Sequence, residues 1–263
     1  MEVLNLSREM GIEVVLPESE VAKFPQAGRD GLASVVPDLE GTDVEMCLAL
    51  GGDGTILRAF NRFRDMKMPI LGVNFGRIGF LSGINPEEIP TILRRIMEGH
   101  YEKVDLSLLE FSHAGHRHLA INDVVVHKPA GGSVVNLGYG VDGVEMDTLR
   151  CDGIVISTPA GSTAYNLSTG GPLVSLGLDA FILTAIAPHT LRVRALVLGP
   201  GESVTITNRS IGSQADIYVD GREESGLEPE GSITVVLAED KARLVQVTGA
   251  DFFKKLRDRF IKQ

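Results

Sequence analysis

A carboxylate inside a glycine turn is the strongest chemical signal in this sequence. Gly51-Gly52-Asp53-Gly54-Thr55 follows the apolar run Met46-Cys47-Leu48-Ala49-Leu50 and precedes a helical pattern, which reads as strand, turn and helix start. Glycines let the backbone turn sharply and come close to a ligand, and the unpaired amides of a helix N-terminus attract phosphate. Gly51, Gly52, Gly54 and Thr55 therefore form a candidate phosphate loop. Asp53 is out of place in a purely anion-binding loop, because a carboxylate repels phosphate unless a metal ion or a hydroxyl proton lies between them. Its presence points to phosphoryl chemistry in which Asp53 handles a hydroxyl. A plain helix N-cap would account for Asp53 or Thr55, yet it leaves the three glycines without a reason.

A second dense region runs from Cys151 to Pro172, a strand emptying into a polar loop rich in Ser, Thr and Gly. Hydroxyls and closely approaching amides suit ribose and amide groups, and Tyr165 offers one aromatic face for a base. Short hydroxyl residues are also common in turns, so the loop alone reads equally well as a turn-rich β connection. Other signals carry less. Gly138-Tyr139-Gly140-Val141-Asp142-Gly143 spells a dinucleotide glycine pattern, but a further strand rather than a helix follows it. His113, His116 and His118 surround Gly115 as residues of a hairpin do, and no zinc is assigned to them. Cys47 and Cys151 make neither a disulfide framework nor a metal knuckle, which fits a reducing compartment.

These residues need a frame. Ile12 to Leu16, Met46 to Leu50 and Ile70 to Phe75 are apolar runs suited to buried parallel strands, with helical stretches between them. After Asp53, Ile56, Phe60 and Phe63 recur at helical spacing, while Asn85-Pro86-Glu87-Glu88 is a helix start and Gly99 a stop. From about Tyr101 the texture turns to β-rich segments with glycine turns. The expected organisation is a doubly wound α/β domain over 1–104, a β-rich domain over 105–245, and a helix over 246–263 that packs back on the first domain. The residues before Ile12 are too few for the strand and helix that normally open a doubly wound sheet, so a first strand is expected upstream. The 263 residues carry a net charge of −10, which argues against broad nucleic-acid or membrane binding and leaves any anionic substrate to a local basic patch. No apolar run approaches the ~20 residues of a membrane span, and no export signal opens the chain, so a cytoplasmic protein is expected.

Taken together the motifs resemble the NAD kinase family. The likeness rests on Gly51-Gly52-Asp53-Gly54-Thr55, on Gly72-Val73-Asn74-Phe75-Gly76-Arg77-Ile78-Gly79-Phe80-Leu81, and on Asp152-Gly153 through Ser168-Thr169-Gly170-Gly171-Pro172, with a weaker echo at Ala187-Pro188-His189. The first block is shared with phosphofructokinases and lipid kinases; the third is not. The resemblance implies a phosphofructokinase-like α/β domain and a β-rich domain, with NAD in the crevice between them. It implies phosphoryl transfer from ATP, with a divalent ion such as Mg, to the adenosine ribose 2'-hydroxyl. Asp53 would be the catalytic carboxylate, with Gly54 and Arg58 beside it. Asn122 would bind adenosine and Asp123 ribose, and Arg150, Asp152, Thr163, Ala164, Tyr165, Asn166, Leu167, Ser168 and the Ala187 backbone would complete the dinucleotide site. No protein ligand for the metal is assigned, and a homodimer or homotetramer is implied. Two positions depart from the family: Asp123 stands where Glu is usual, one methylene shorter, and Arg222 where Gln is common. A lipid or sugar-phosphate kinase with the same glycine loop, or a non-catalytic NAD-binding regulator, are the competing readings, and ATP and polyphosphate both remain open as donor.

Overall fold

Short apolar runs separated by glycine turns build the first hundred residues. The computed structural model describes residues 2–24, 31–39, 42–64, 66–76, 79–82, 84–247, 252–253 and 256–257. The chain divides into two compact units, one of residues 1–104 with 243–263 and one of residues 105–242.

In the first unit, the strand Cys47–Leu50 lies parallel to Ile70–Val73, all four residues of which are buried, and Leu244 flanks Ile70 in parallel. Parallel neighbours need a crossover. The helix Asp53–Phe63 supplies it, burying Ile56, Phe60 and Phe63 on the face expected from their spacing. Gly72 lets this helix sit close, since a Cβ there would come 2.2 Å from Cδ1 of Ile56. Asn85 opens the next helical segment, its N–H donating to the Glu88 carboxylate at 2.8 Å. A 3-10 turn over Pro86–Glu88 runs into the helix Ile89–Met97, and Gly99 ends it at a φ of +75°. The run from Ile12 becomes a strand only over Val15–Pro17, parallel to Ser34–Val36. Its first residue is taken by the end of the helix Glu2–Glu9: Gly11 turns left-handed at +72°, and the Ile12 N–H reaches back to the Ser7 carbonyl at 2.8 Å. Of the helix expected over 246–263, residues 248–251, 254–255 and 258–263 lie outside the described residues. Phe252 is buried, its ring 6.3 Å from that of Phe80.

The second unit is built on antiparallel pairings. One sheet runs in the order Leu196–Leu198, Phe181–Ile186, Gly153–Ser157, Asp123–His127, Ala215–Val219, Arg222–Leu227. In the other, Ser232–Gln246 pairs with Ser203–Asn208, which pairs with Val135–Val141, which pairs with Val144–Cys151. The main core interleaves Val124, Val126, Ile154, Ile156 and Ile217 of the first sheet with Leu137, Val204, Ile206 and Val235 of the second. Alternation along Asp123-Val124-Val125-Val126-His127 thus sends two valines into this core and leaves Asp123, Val125 and His127 on the opposite face. Three hairpins turn on residue pairs at positive φ, Ala114-Gly115, Asp142-Gly143 and Asp220-Gly221, a pairing whose backbone twist matches that of the strands. The first joins His113 to His116. The second closes the Gly138–Gly143 pattern into a hairpin, without the helix a dinucleotide fingerprint requires. Among the described residues no helix is long and apolar enough to cross a membrane.

Candidate active site

Asp53 occupies the first turn of its helix, after Gly52 at the N-cap. Its carboxylate is turned toward a neighbouring loop. Oδ2 accepts the Phe80 N–H at 2.8 Å, while Oδ1 accepts the N–H of Leu81 at 3.2 Å, the N–H of Ser82 at 3.0 Å and the Ser82 hydroxyl at 3.1 Å. A carboxylate offers about four lone-pair sites across two oxygens, so the cradle saturates Oδ1 and leaves Oδ2 able to take one further donor. Gly79 makes the approach possible, because a Cβ there would lie 2.0 Å from Oδ1 of Asp53. Gly51 has its own internal reason: its φ is +155°, and a Cβ would meet Oγ1 of Thr55 at 2.3 Å. At Gly52 and Gly54 a Cβ would meet open space, so the fold itself does not require glycine there. Arg58 is exposed and donates to the Thr55 hydroxyl at 3.1 Å. Arg77 and Ile78 of the second motif lie outside the described residues.

In the second unit, Asn122, Asp123, Val125, His127, Ala164, Tyr165, Tyr218, Asp220 and Gly221 line a cavity of about 430 Å3, within the size range of small-ligand sites. It lies on the face of the sheet that carries Asp123, Val125 and His127. Ile121 and Asn122, which link two strands, are held on both sides. Their carbonyls accept from Thr158 Oγ1 at 2.5 Å and Thr158 N–H at 2.9 Å, and their N–H groups donate to the Asp220 carboxylate. The Asn122 amide and the Asp123 carboxylate make no hydrogen bond to other described residues. Asp123 is 4% exposed, and burial first, then the Asp220 charge, pushes its carboxyl up to about 7.

The loop bearing Tyr165 is anchored from beneath. Asn166 is fully buried, its Nδ2 donating to the Pro172 carbonyl at 3.0 Å and its Oδ1 accepting the Thr184 hydroxyl at 2.8 Å. Its side chain is thus occupied within the chain and could meet a ligand only through the backbone. Several hydroxyls of this loop also serve the fold: Thr163 donates to Ala160 and Thr169 to Asn166, at 3.1 and 2.8 Å. Tyr165 is 39% exposed in the cavity wall. Burial, then the charges of Asp152 and Asp123, raises its phenol above the ordinary range. Leu167 is half-buried, and Ser168 is exposed.

Asp152 is bound to Lys128 at 2.8 Å, and that hydrogen bond holds its carboxyl below the ordinary range. The exposed Arg150 accepts the His189 N–H on its carbonyl at 2.8 Å. Ala187 sits at a φ of +44°, a strained position for a residue with a Cβ. The structure thus brings Asn122, Asp123, Ala164 and Tyr165 to one cavity, while the other expected residues of this unit are not among its lining. Sequence reasoning missed Val125, His127, Tyr218, Asp220 and Gly221. The only local signal among these was the Asp220-Gly221 turn, which announces a hairpin and nothing about a ligand. Burial raises both thiols, Cys47 and Cys151, to about 12, which makes them poor nucleophiles.

The sequence profile of the ATP-NAD kinase N-terminal domain matches residues 5–101, and that of the ATP-NAD kinase C-terminal domain matches residues 121–247. The chain is 32% identical to the NAD kinase of Methanothermobacter thermautotrophicus over 96% of its own length and 87% of the relative's. It is 36% identical to the NAD kinase of Geotalea daltonii over 92% and 86%. Among solved structures, yeast NADH kinase complexed with NADH superposes with a TM-score of 0.87 at 23% identity, covering 99% of this chain and 82% of that one, a likeness of fold. An NAD kinase from Archaeoglobus fulgidus in complex with ATP superposes with a TM-score of 0.71 at 28% identity, covering 93% and 96%.

Proposed function

The chain belongs to the ATP-NAD kinase family, and on that premise we propose how its residues carry a phosphoryl group from ATP to the adenosine ribose 2'-hydroxyl of NAD. The observation that carries the reading is the cavity in which the unbonded Asn122 amide, the buried Asp123 carboxylate and the Tyr165 ring meet. An amide can pair with the edge of adenine, a carboxylate can accept a ribose hydroxyl, and a phenol ring can cover a base. Ala164 joins them in the wall, and Asp152, Thr163, Ser168, Arg150 and the Ala187 backbone are assigned supporting contacts. In the α/β unit, Gly51, Gly52, Gly54 and Thr55 admit phosphate, with Arg58 adding charge.

Phosphoryl transfer through a loose transition state asks the protein mainly for alignment and charge neutralisation. A sugar hydroxyl is too weak an acid to ionise beforehand, so its proton leaves as the transfer proceeds. Asp53 is assigned that role: its four donors fix the carboxylate in one orientation and leave Oδ2 room for the hydroxyl. Among the described residues no three His, Cys, Asp or Glu side chains converge on a metal site. We place the divalent ion with the donor's phosphates, as Mg2+ commonly is, and no step here runs through a protein-held metal. A cytoplasmic homodimer or homotetramer completes the proposal. The test is ADP release with and without NAD, with NADP read by an NADP-specific dehydrogenase. NAD-dependent ADP release with equimolar NADP is expected; ADP release without NADP, or none, would overturn it.

A further inference from the structure

Ile121, Asn122 and Asp123 present consecutive N–H groups to one side chain. Oδ1 of Asp220 accepts all three, at 3.1, 2.7 and 3.3 Å, and Oδ2 takes a second bond from Ile121 at 3.1 Å. In return the Asp220 N–H donates to the Asp123 carbonyl at 3.0 Å. Asp220 can do this because it occupies the first position of its hairpin turn at a φ of +48°, followed by Gly221 at +75°. The carbonyls of Ile121 and Asn122 are meanwhile held by Thr158. One carboxylate thus holds three consecutive N–H groups of this segment. With the backbone so fixed, the side chains of Asn122 and Asp123 make no hydrogen bond to other described residues and line the cavity.

We propose that Asp220 is a positioning residue for the dinucleotide, acting through the backbone of Ile121, Asn122 and Asp123 to fix the two side chains that meet adenosine and ribose. This rests on the proposal that the cavity takes NAD. Glycine suits the left-handed position, so Asp220→Gly removes the carboxylate without straining the turn. Asparagine also tolerates it, so Asp220→Asn keeps one acceptor oxygen for the three amides.

The clamp is tested first in the ligand-free protein, by amide hydrogen exchange. Exchange at 121–123 should accelerate at least tenfold in Asp220→Gly and rise in Asp220→Asn chiefly at Ile121, which loses one of its two acceptor oxygens. In kinetics, Asp220→Gly should raise the KM for NAD roughly tenfold, on the scale of lost hydrogen bonds to a charged group. Its kcat at saturating NAD should stay within about threefold, and Asp220→Asn should restore KM to within about threefold of wild type. Unchanged exchange at 121–123 in both variants would overturn the proposal. So would an Asp220→Asn as defective as Asp220→Gly with those amides still protected, which would assign the charge a direct contact with substrate. If Asp220→Gly does not fold, the Asp220→Asn exchange pattern decides. Faster exchange together with an unchanged NAD affinity in both variants would overturn the positioning role, whereas Tyr165→Ala and Asp123→Ala both leaving NAD affinity unchanged would remove NAD from this cavity, separating the two failures.

Discussion

At the scale of single residues, the carboxylates divide by what surrounds them. Asp53 is held by four donors with one direction free, so Asp53→Asn, whose amide nitrogen would meet the Phe80 N–H donor to donor, should lose some stability yet keep NAD binding, while turnover at saturating substrates falls by about a hundredfold or more. Nearly full turnover would reduce Asp53 to a positioning group. Gly79 offers a second route to the same carboxylate. A Cβ 2.0 Å from Oδ1 must displace it, so Gly79→Ala should lower kcat by roughly tenfold or more with NAD affinity close to wild type; a fully active variant would show that the cradle is dispensable. Asp123 behaves differently, because its carboxylate is buried beside Asp220 and makes no hydrogen bond to other described residues. Its folded value of about 7 lies above the ordinary 3.8, so the folded state binds this proton more tightly than the unfolded chain does. The resulting stability is fully present below about pH 4 and is lost as pH rises through about 7. Calorimetry should find the melting temperature falling between about pH 4 and pH 7, and Asp123→Asn should flatten that slope; an identical slope in the variant would refute the assignment.

Single elements decide whether such residues point the right way. The short helix Tyr165–Ser168 is too small to hold itself. It depends on Asn166, bonded to Pro172 and Thr184, and on Gly171, where a Cβ would lie 2.0 Å from Oδ1 of Asn166. Asn166→Ala strands both partners and should cost about 1–3 kcal/mol of stability, weakening NAD binding as Tyr165 loses its support. Tyr165→Ala should weaken NAD binding by a similar ~1–3 kcal/mol, the range for base–aromatic stacking, but leave the melting temperature near wild type. Calorimetric titration and thermal melts on both variants separate anchor from contact. Equal stability losses in the two would mean that Tyr165 also serves the fold. The Asp123–His127 strand shows the same division within one element. Its alternate valines belong to the core, and the residues between them belong to the cavity.

For the molecule as a whole, a net charge of −10 works against anionic substrates. Screening that repulsion should raise kcat/KM severalfold between about 10 and 100 mM salt; a steady fall instead would show that local Arg and Lys residues steer the substrates. Much of the architecture was legible in the sequence. The glycine–aspartate loop, the Ile56, Phe60 and Phe63 face, the capped start at Asn85 and the change to β texture after Tyr101 are local signals, fixed by backbone sterics and by the 3.6- and 2-residue periods. The family resemblance also implies Asn122, Asp123, Ala164 and Tyr165, which line one cavity. Other features had no such signature. The apolar run makes Ile12 the expected start of a strand, but the cap of the preceding helix claims it. The hydroxyls of the 151–172 loop read equally as ligand groups or as turn residues, and only the structure shows that several donate to the chain's own carbonyls. Asp220 lies 99 residues from Ile121 in sequence and one hydrogen bond from it in space. Period, capping and turn chemistry act over a few residues, so the sequence alone determined which elements form and which side chains are suited to the chemistry. Sheet register and core burial act across the whole chain, so only the tertiary structure decided which of those side chains keep their polar atoms free and which groups hold them in place.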